Sequence, residues 1–227
     1  MAEIVVALDT STAADALRLL DRLPGVNWVK VGPVVFLDGG PALVRELKAR
    51  GHKVFLDMKW HDIPRTVAGA VEAAARLGVD LATVHALGGE AMLRAAREAA
   101  RGRLRLAAVS VLTSHDEESY GAAVGAGEVR DLRVEVERLA GIAARAGLDA
   151  VVCSASEVDL VRRVMGSGSW FVVPGIRLGG SGRDDHARSA EPRRAVEAGA
   201  THLVIGRPII EAPDPLSVYQ RVCRELL

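Results

Sequence analysis

The segment Phe55-Leu-Asp57-Met-Lys59-Trp-His-Asp62-Ile-Pro-Arg-Thr66 sets two acids and a lysine within a few positions of one another, at the end of an apolar run. On a strand, alternate residues share a face, so Asp57 and Lys59 point one way and Met58 the other. Pro64 opens a helix, which leaves Asp62 in the intervening turn. Lys30, in the run Trp28–Gly32, can point into the same interior. Alternating cations and anions in a partly dehydrated site fix an ammonium ready to deliver a proton and hold a carboxylate beside the substrate. The same array could also be an ion-pair plug without chemistry. Of 29 basic residues only Lys30, Lys48, Lys53 and Lys59 are lysine, the one of the two types that sheds a proton near working pH.

A second kind of chemistry is written in Pro174-Gly-Ile-Arg177 and Gly206-Arg207-Pro208. Glycine admits backbone N–H groups to an oxyanion and arginine grips it bidentately, so the pair reads as a phosphate site. A surface arginine after a turn is the plainer reading of either alone. From Leu178 to Arg188 the chain is polar and glycine-rich, a loop that could close over a ligand. His61 and His85 are candidate bases, although lone histidines at such places more often serve packing. Cys153 reads as a buried small apolar residue. No His/Asp/Glu set has metal-ligand spacing, and no nucleotide-binding glycine motif occurs.

These residues end short β-branched runs that alternate with helical patterns along the chain. The runs cover 4–9, 28–32, 53–59, 81–86, 104–113, 149–155, 170–177 and 202–209. Helical patterns lie near 13–23, 41–50, 64–77, 89–101, 131–146, 155–165, 190–198 and 214–227, with Pro41 opening the second. Near-continuous apolar strands between amphipathic helices imply a parallel sheet covered by helices. Eight such units predict an α/β fold, a (β/α)8 TIM barrel forming one domain over 1–227; an open doubly wound sheet is the alternative. The barrel is favoured because Asp9, Lys30, Asp57, Lys59, Thr113, Arg177 and Arg207 all fall at C-terminal strand ends, where such barrels keep their sites. The loops after strands 7 and 8 are also their usual phosphate position.

Composition narrows the class without naming it. Charges cancel at 29 against 29, so there is no basic field for nucleic acid or a membrane surface. Aromatics at 4% are too few for a base-stacking platform. No apolar run approaches the roughly 20 residues of a membrane span. The acidic N-terminus runs straight into a strand, unlike a signal peptide, and two cysteines make no disulfide framework; both suit the cytoplasm.

The Asp57-x-Lys59-x-x-Asp62-Ile63 segment resembles the signature of the orotidine 5′-monophosphate decarboxylase family. The likeness extends through VALD (6–9), Lys30-Val-Gly, LTS (112–114), VCSA (152–155), PGIR and IGRP, which is essentially the whole chain in its bacterial form. The resemblance implies a cofactor-free homodimeric barrel with shared active sites, acting on a small nucleotide. Lys59 would protonate the C6 carbanion, Asp57 would face the substrate carboxylate, and Lys30 with Asp62 of the other subunit would complete the array. Asp9 and Thr66 would contact the ribose region, Thr113 the pyrimidine, and Arg177, Gly206 and Arg207 the phosphate. His186 stands where the family usually has Gln, and could donate to phosphate in its place. Arg65 and Leu87 also depart from the family pattern.

Overall fold

A computed structural model describes residues 2–125, 131–178 and 189–226. Eight parallel strands close in sequence order, each paired with its neighbours and the eighth with the first. The strands are β1 Glu3–Ala7, β2 Trp28–Val31, β3 Lys53–Trp60, β4 Leu81–His85, β5 Arg105–Val109, β6 Ala150–Val152, β7 Trp170–Val173 and β8 His202–Ile205. The helices are α1 Ala13–Asp21, α2 Pro33–Ala49, α3 Pro64–Arg76, α4 Gly89–Ala100, α5 Glu117–Ala123, α6 Leu132–Arg145, α7 Val158–Met165, α8 Pro192–Glu197, α9 Arg207–Ile210 and α10 Pro215–Glu225. Short 3₁₀ turns follow β4 and β6 at Ala86–Gly88 and Ala155–Glu157. This is the expected (β/α)8 barrel. No helix among the described residues is long and apolar enough to cross a membrane.

The strand alternation sorts the core into two layers. Outward residues such as Ile4, Val6, Val29, Val54 and Leu56 pack against the helices in one large cluster. Inward residues fill the barrel: Val5, Ala7, Trp28, Phe55, Leu81, Ala107, Ala150, Val172 and Val204. The inward positions one step further along β2, β3 and β4 are Lys30, Asp57 and Thr83. Apolar filling below therefore gives way to polar groups at the C-terminal mouth.

The opposite end is sealed by aromatics. His202 is buried against Trp170, 4.3 Å between ring centroids, and edge-on to Trp28 at 5.3 Å, with the Lys53 ammonium over Trp28 and the Arg105 guanidinium over Trp170. Burial, then the nearby Lys53 and Arg105 charges, push its pKa down from 6.5 to about 4. A folded-state pKa below the unfolded one contributes stability present above pH 6.5 and lost as pH falls towards 4. The share of His202 in that loss should be about 2 kcal/mol between pH 7 and pH 5. Urea unfolding at the two values should show a loss about 2 kcal/mol larger in wild type than in His202→Phe, which keeps the loss due to His85. Equal losses in both proteins would clear His202 of the effect.

The element boundaries correct several sequence expectations. The second helix begins at Pro33 rather than near 41; Gly40, at φ 52°, kinks it, and Pro41 opens only its second half. The fifth run is strand only to Val109, and an unexpected helix, α5, follows, capped by reciprocal Asp116 and Ser119 bonds. The eighth run leaves the sheet after Ile205, and Arg207 begins a short helix instead of ending a strand. The first run likewise ends at Ala7, which leaves Asp9 just beyond it.

Candidate active site

At the mouth, one chain of ion pairs joins β2, β3 and the segment just beyond β1. Lys30 Nζ lies 2.9 Å from Asp9 Oδ1 and 3.8 Å from Asp57 Oδ2, and Lys59 Nζ donates to Asp57 Oδ2 at 2.9 Å. Asp57 is nearly buried, whereas Lys59 is about 39% exposed and so faces the opening. A buried carboxylate held between two ammonium groups has its charge compensated on the spot.

Asp57 and Lys59 share a side, as expected, but not by plain alternation. Lys59 takes a left-handed backbone, φ 49°, and the β3–β4 register shifts between Leu56 and Trp60. A residue with a Cβ pays about 1–2 kcal/mol for that conformation. Lys59 N–H finds its partner outside the ladder, donating to Thr83 Oγ1 at 2.8 Å, and that hydroxyl donates to Asp57 Oδ1 at 3.0 Å. Sequence reasoning did not single out Thr83. Its one signal was parity: two residues after the inward Leu81, it must face the barrel interior.

The array forms part of the wall of a cavity of about 510 Å³, within the range of small-molecule sites. Asp9, Lys30, Asp57 and Lys59 line it together with Thr113, Arg177, Gly206 and Arg207. The two arginine loops expected to take phosphate thus converge on the cavity that holds the charged array. A Cβ at 206 would come within 3.2 Å of Asp9 Oδ2 and 3.4 Å of Ala7 Cβ, so a side chain there would push the Asp9 carboxylate aside by a few tenths of an ångström. Thr113 is buried.

Two expected residues stay out of the cavity. Asp62 and Thr66 are exposed on the turn and the first turn of α3, and Asp62 Oδ1 accepts from Ile63 N. His186 and most of the polar loop, 179–188, lie outside the described residues. His85 is a packing histidine: its Nδ1 accepts from Leu87 N, it stacks on His61 at 5.5 Å, and burial, then the His61 and Lys59 charges, lower its pKa to about 4. Cys153 is fully buried in the outer core.

Comparison with known proteins gives the same answer from outside. Residues 2–222 match the model of the Orotidine 5′-phosphate decarboxylase / HUMPS family. The orotidine 5′-phosphate decarboxylase of Halorhodospira halophila is 48% identical over 227 residues, spanning 98% of this chain and 95% of that one. Its counterpart from Moorella thermoacetica is 45% identical, over 99% of this chain and 92% of that one. Among solved structures, orotidine 5′-phosphate decarboxylase from Lactobacillus acidophilus superposes with a TM-score of 0.86 at 33% identity, covering 99% of both chains. An uncharacterised conserved protein from Geobacillus kaustophilus gives 0.85 at 36%, covering 99% of this chain and all of that one. Fold, cavity and sequence agree, and the chain belongs to the orotidine 5′-phosphate decarboxylase / HUMPS family.

Proposed function

We propose that this barrel, one domain over 1–227, decarboxylates orotidine 5′-monophosphate to UMP and CO2 without a cofactor. The reaction is that of its decarboxylase relatives, a carbon–carbon lyase step of pyrimidine biosynthesis. The observation that carries the reading is Asp57 held between Lys59 and Lys30 in a cavity also lined by Arg177, Gly206 and Arg207. One end suits a carboxylate leaving as CO2 and the other a phosphate.

The bond from C6 to the carboxyl carbon breaks and its electron pair stays on C6. That pair lies in the ring plane, poorly delocalised, so the protein must supply electrostatics and an acid rather than an electron sink. Lys59 delivers its proton to C6 and is recharged from solvent. Asp57 sits against the substrate carboxylate, and Lys30 holds Asp57 and Asp9 in place. Thr113 contacts the pyrimidine and Asp9 the ribose. Arg177, Gly206 and Arg207 grip the phosphate, with His186 as a further donor to it. Grip far from the reacting carbon contributes by orienting the ring.

A homodimer with shared sites completes the reading, with Asp62 and Thr66 serving the partner's cavity. Their exposure supports this, as does the apolar surface beside them: Val34, Leu37, Ile63 and Leu87 are all exposed and follow the adjacent strands β2, β3 and β4. The expected setting is the cytoplasm, with no nucleic-acid or membrane partner.

The alternative reading, a metal-assisted sugar-phosphate decarboxylase or synthase of the same superfamily, is disfavoured by Lys30, whose ammonium lies between the Asp9 and Asp57 carboxylates where a divalent ion would want to sit. The discriminating experiment follows the loss of orotate absorbance from orotidine 5′-monophosphate with EDTA present. Turnover should persist undiminished. Loss on chelation and recovery with magnesium would favour the metal-assisted reading.

A further inference from the structure

Lys59 and Arg101 are the non-glycine residues with positive φ among the described residues. Arg101 ends α4, where a left-handed residue is an ordinary helix stop. Lys59 lies inside β3, where nothing about chain reversal calls for one, and its conformation aims the ammonium at the cavity. Something must hold it there.

That something is the Thr83 hydroxyl. Thr83 is fully buried on β4, and its Oγ1 receives the Lys59 N–H at 2.8 Å. Having accepted on one side, the hydroxyl turns its own proton to Asp57 Oδ1, 3.0 Å away. An ionised carboxylate can only accept, so the direction of both bonds is fixed. A single hydroxyl thus ties the backbone of one reacting residue to the side chain of the other. The opposite oxygen of Asp57 is left for Lys59 Nζ and Lys30 Nζ. Threonine suits the task better than serine, because its β-branch restricts χ1 and leaves the hydroxyl fewer alternatives.

We infer that Thr83 is a positioning residue for the decarboxylation, setting the Asp57 carboxylate and the Lys59 backbone relative to one another through its hydroxyl. The inference rests on the roles given above to Asp57 and Lys59. Thr83 touches no reacting atom. Without the hydroxyl, the Lys59 N–H and one Asp57 oxygen lose their partner, the left-handed turn relaxes, and Nζ moves off the line to C6. A displacement of about 1 Å at a reacting group can lower rate about 10²-fold.

Two pairs of proteins isolate the hydroxyl: wild type against Thr83→Val, which keeps the shape, and Thr83→Ser against Thr83→Ala, which differ by one oxygen. Each is measured for thermal unfolding, UMP affinity, and kcat and KM on orotidine 5′-monophosphate, with Lys59→Ala alongside. Thr83→Val should lose about 10²-fold in kcat, while KM and UMP affinity stay near wild type, because the phosphate end is untouched. Thr83→Ser should keep most of the activity and Thr83→Ala should fall with Thr83→Val. The Ser/Ala pair decides the matter if the valine protein does not fold. Wild-type kcat in either hydroxyl-free protein would overturn the inference. So would parallel losses in kcat and UMP affinity that serine fails to restore, the mark of a merely structural role. Normal turnover in Lys59→Ala would instead overturn the reading of the array, and with it the reason to position Lys59.

Discussion

Lys59→Ala should lower kcat on orotidine 5′-monophosphate by about 10⁵-fold or more while UMP still binds. Two effects are removed together. Proton delivery by a positioned acid contributes about 10²–10⁴-fold, and a preorganised charge beside the developing carbanion about 10²–10³-fold. A decarboxylation that leaves an undelocalised pair depends on both, because the ring offers no electron sink for it. UMP carries no carboxylate at C6, and on the proposed reading its phosphate is held by Arg177 and Arg207, which line the same cavity, so affinity should survive. Asp57 loses its 2.9 Å partner but keeps the Thr83 hydroxyl and Lys30, so the site should hold its shape. Lys48 is the control: paired with Asp80 at 2.6 Å and absent from the cavity wall, it should be replaceable by alanine with kcat unchanged. Steady-state kinetics with UMP titration checks both halves. Near-normal turnover without Lys59 would remove it from the mechanism.

The barrel was legible because its signal is redundant. Each apolar run ends in polar residues and each helical pattern is bounded by glycine or proline, so eight noisy readings agree on one topology. The charged array was legible for a similar reason. Lys30 and Asp57 are inward residues of adjacent strands, and strand parity survives small errors in boundary.

What escaped the sequence depends on geometry that parity does not encode. The left-handed Lys59 and the β3–β4 shift arise from pairing between strands, and no local pattern in KVFLDMKW announces them. Parity alone predicted the right side for the wrong reason. Thr83 looks like an unremarkable member of a buried run, LATVH, until the shift brings its hydroxyl under Lys59 N–H. The missed helix α5 breaks the rule of one helix per strand, and its seven residues include a glycine, so only the Asp116–Ser119 cap marked it. At Gly39-Gly40-Pro41 the sequence does carry a breaker, but the chain bends there and remains helical on both sides. Asp62 is a different case. Its turn position could be read, but the carboxylate meets nothing in its own cavity, so its role rests on a second copy of the chain.

That role has a decisive test in mixed dimers. If a two-fold interface brings the barrel mouths together, each Asp62 reaches its partner's Lys59. Homodimers of Lys59→Ala and of Asp62→Ala should then both be severely impaired, because each carries two damaged sites. In a heterodimer, one site collects both substitutions and the other collects neither. With equal amounts and random exchange about half the dimers are mixed, so roughly a quarter of all sites are intact. Activity should rise towards a quarter of wild type, far above either parent, at the rate at which subunits exchange. If exposed Ile63 and Leu87 lie in that interface, truncating them should speed exchange. Exchange confirmed by mass spectrometry with no return of activity would mean that Asp62 serves its own barrel, and the shared site would have to be abandoned.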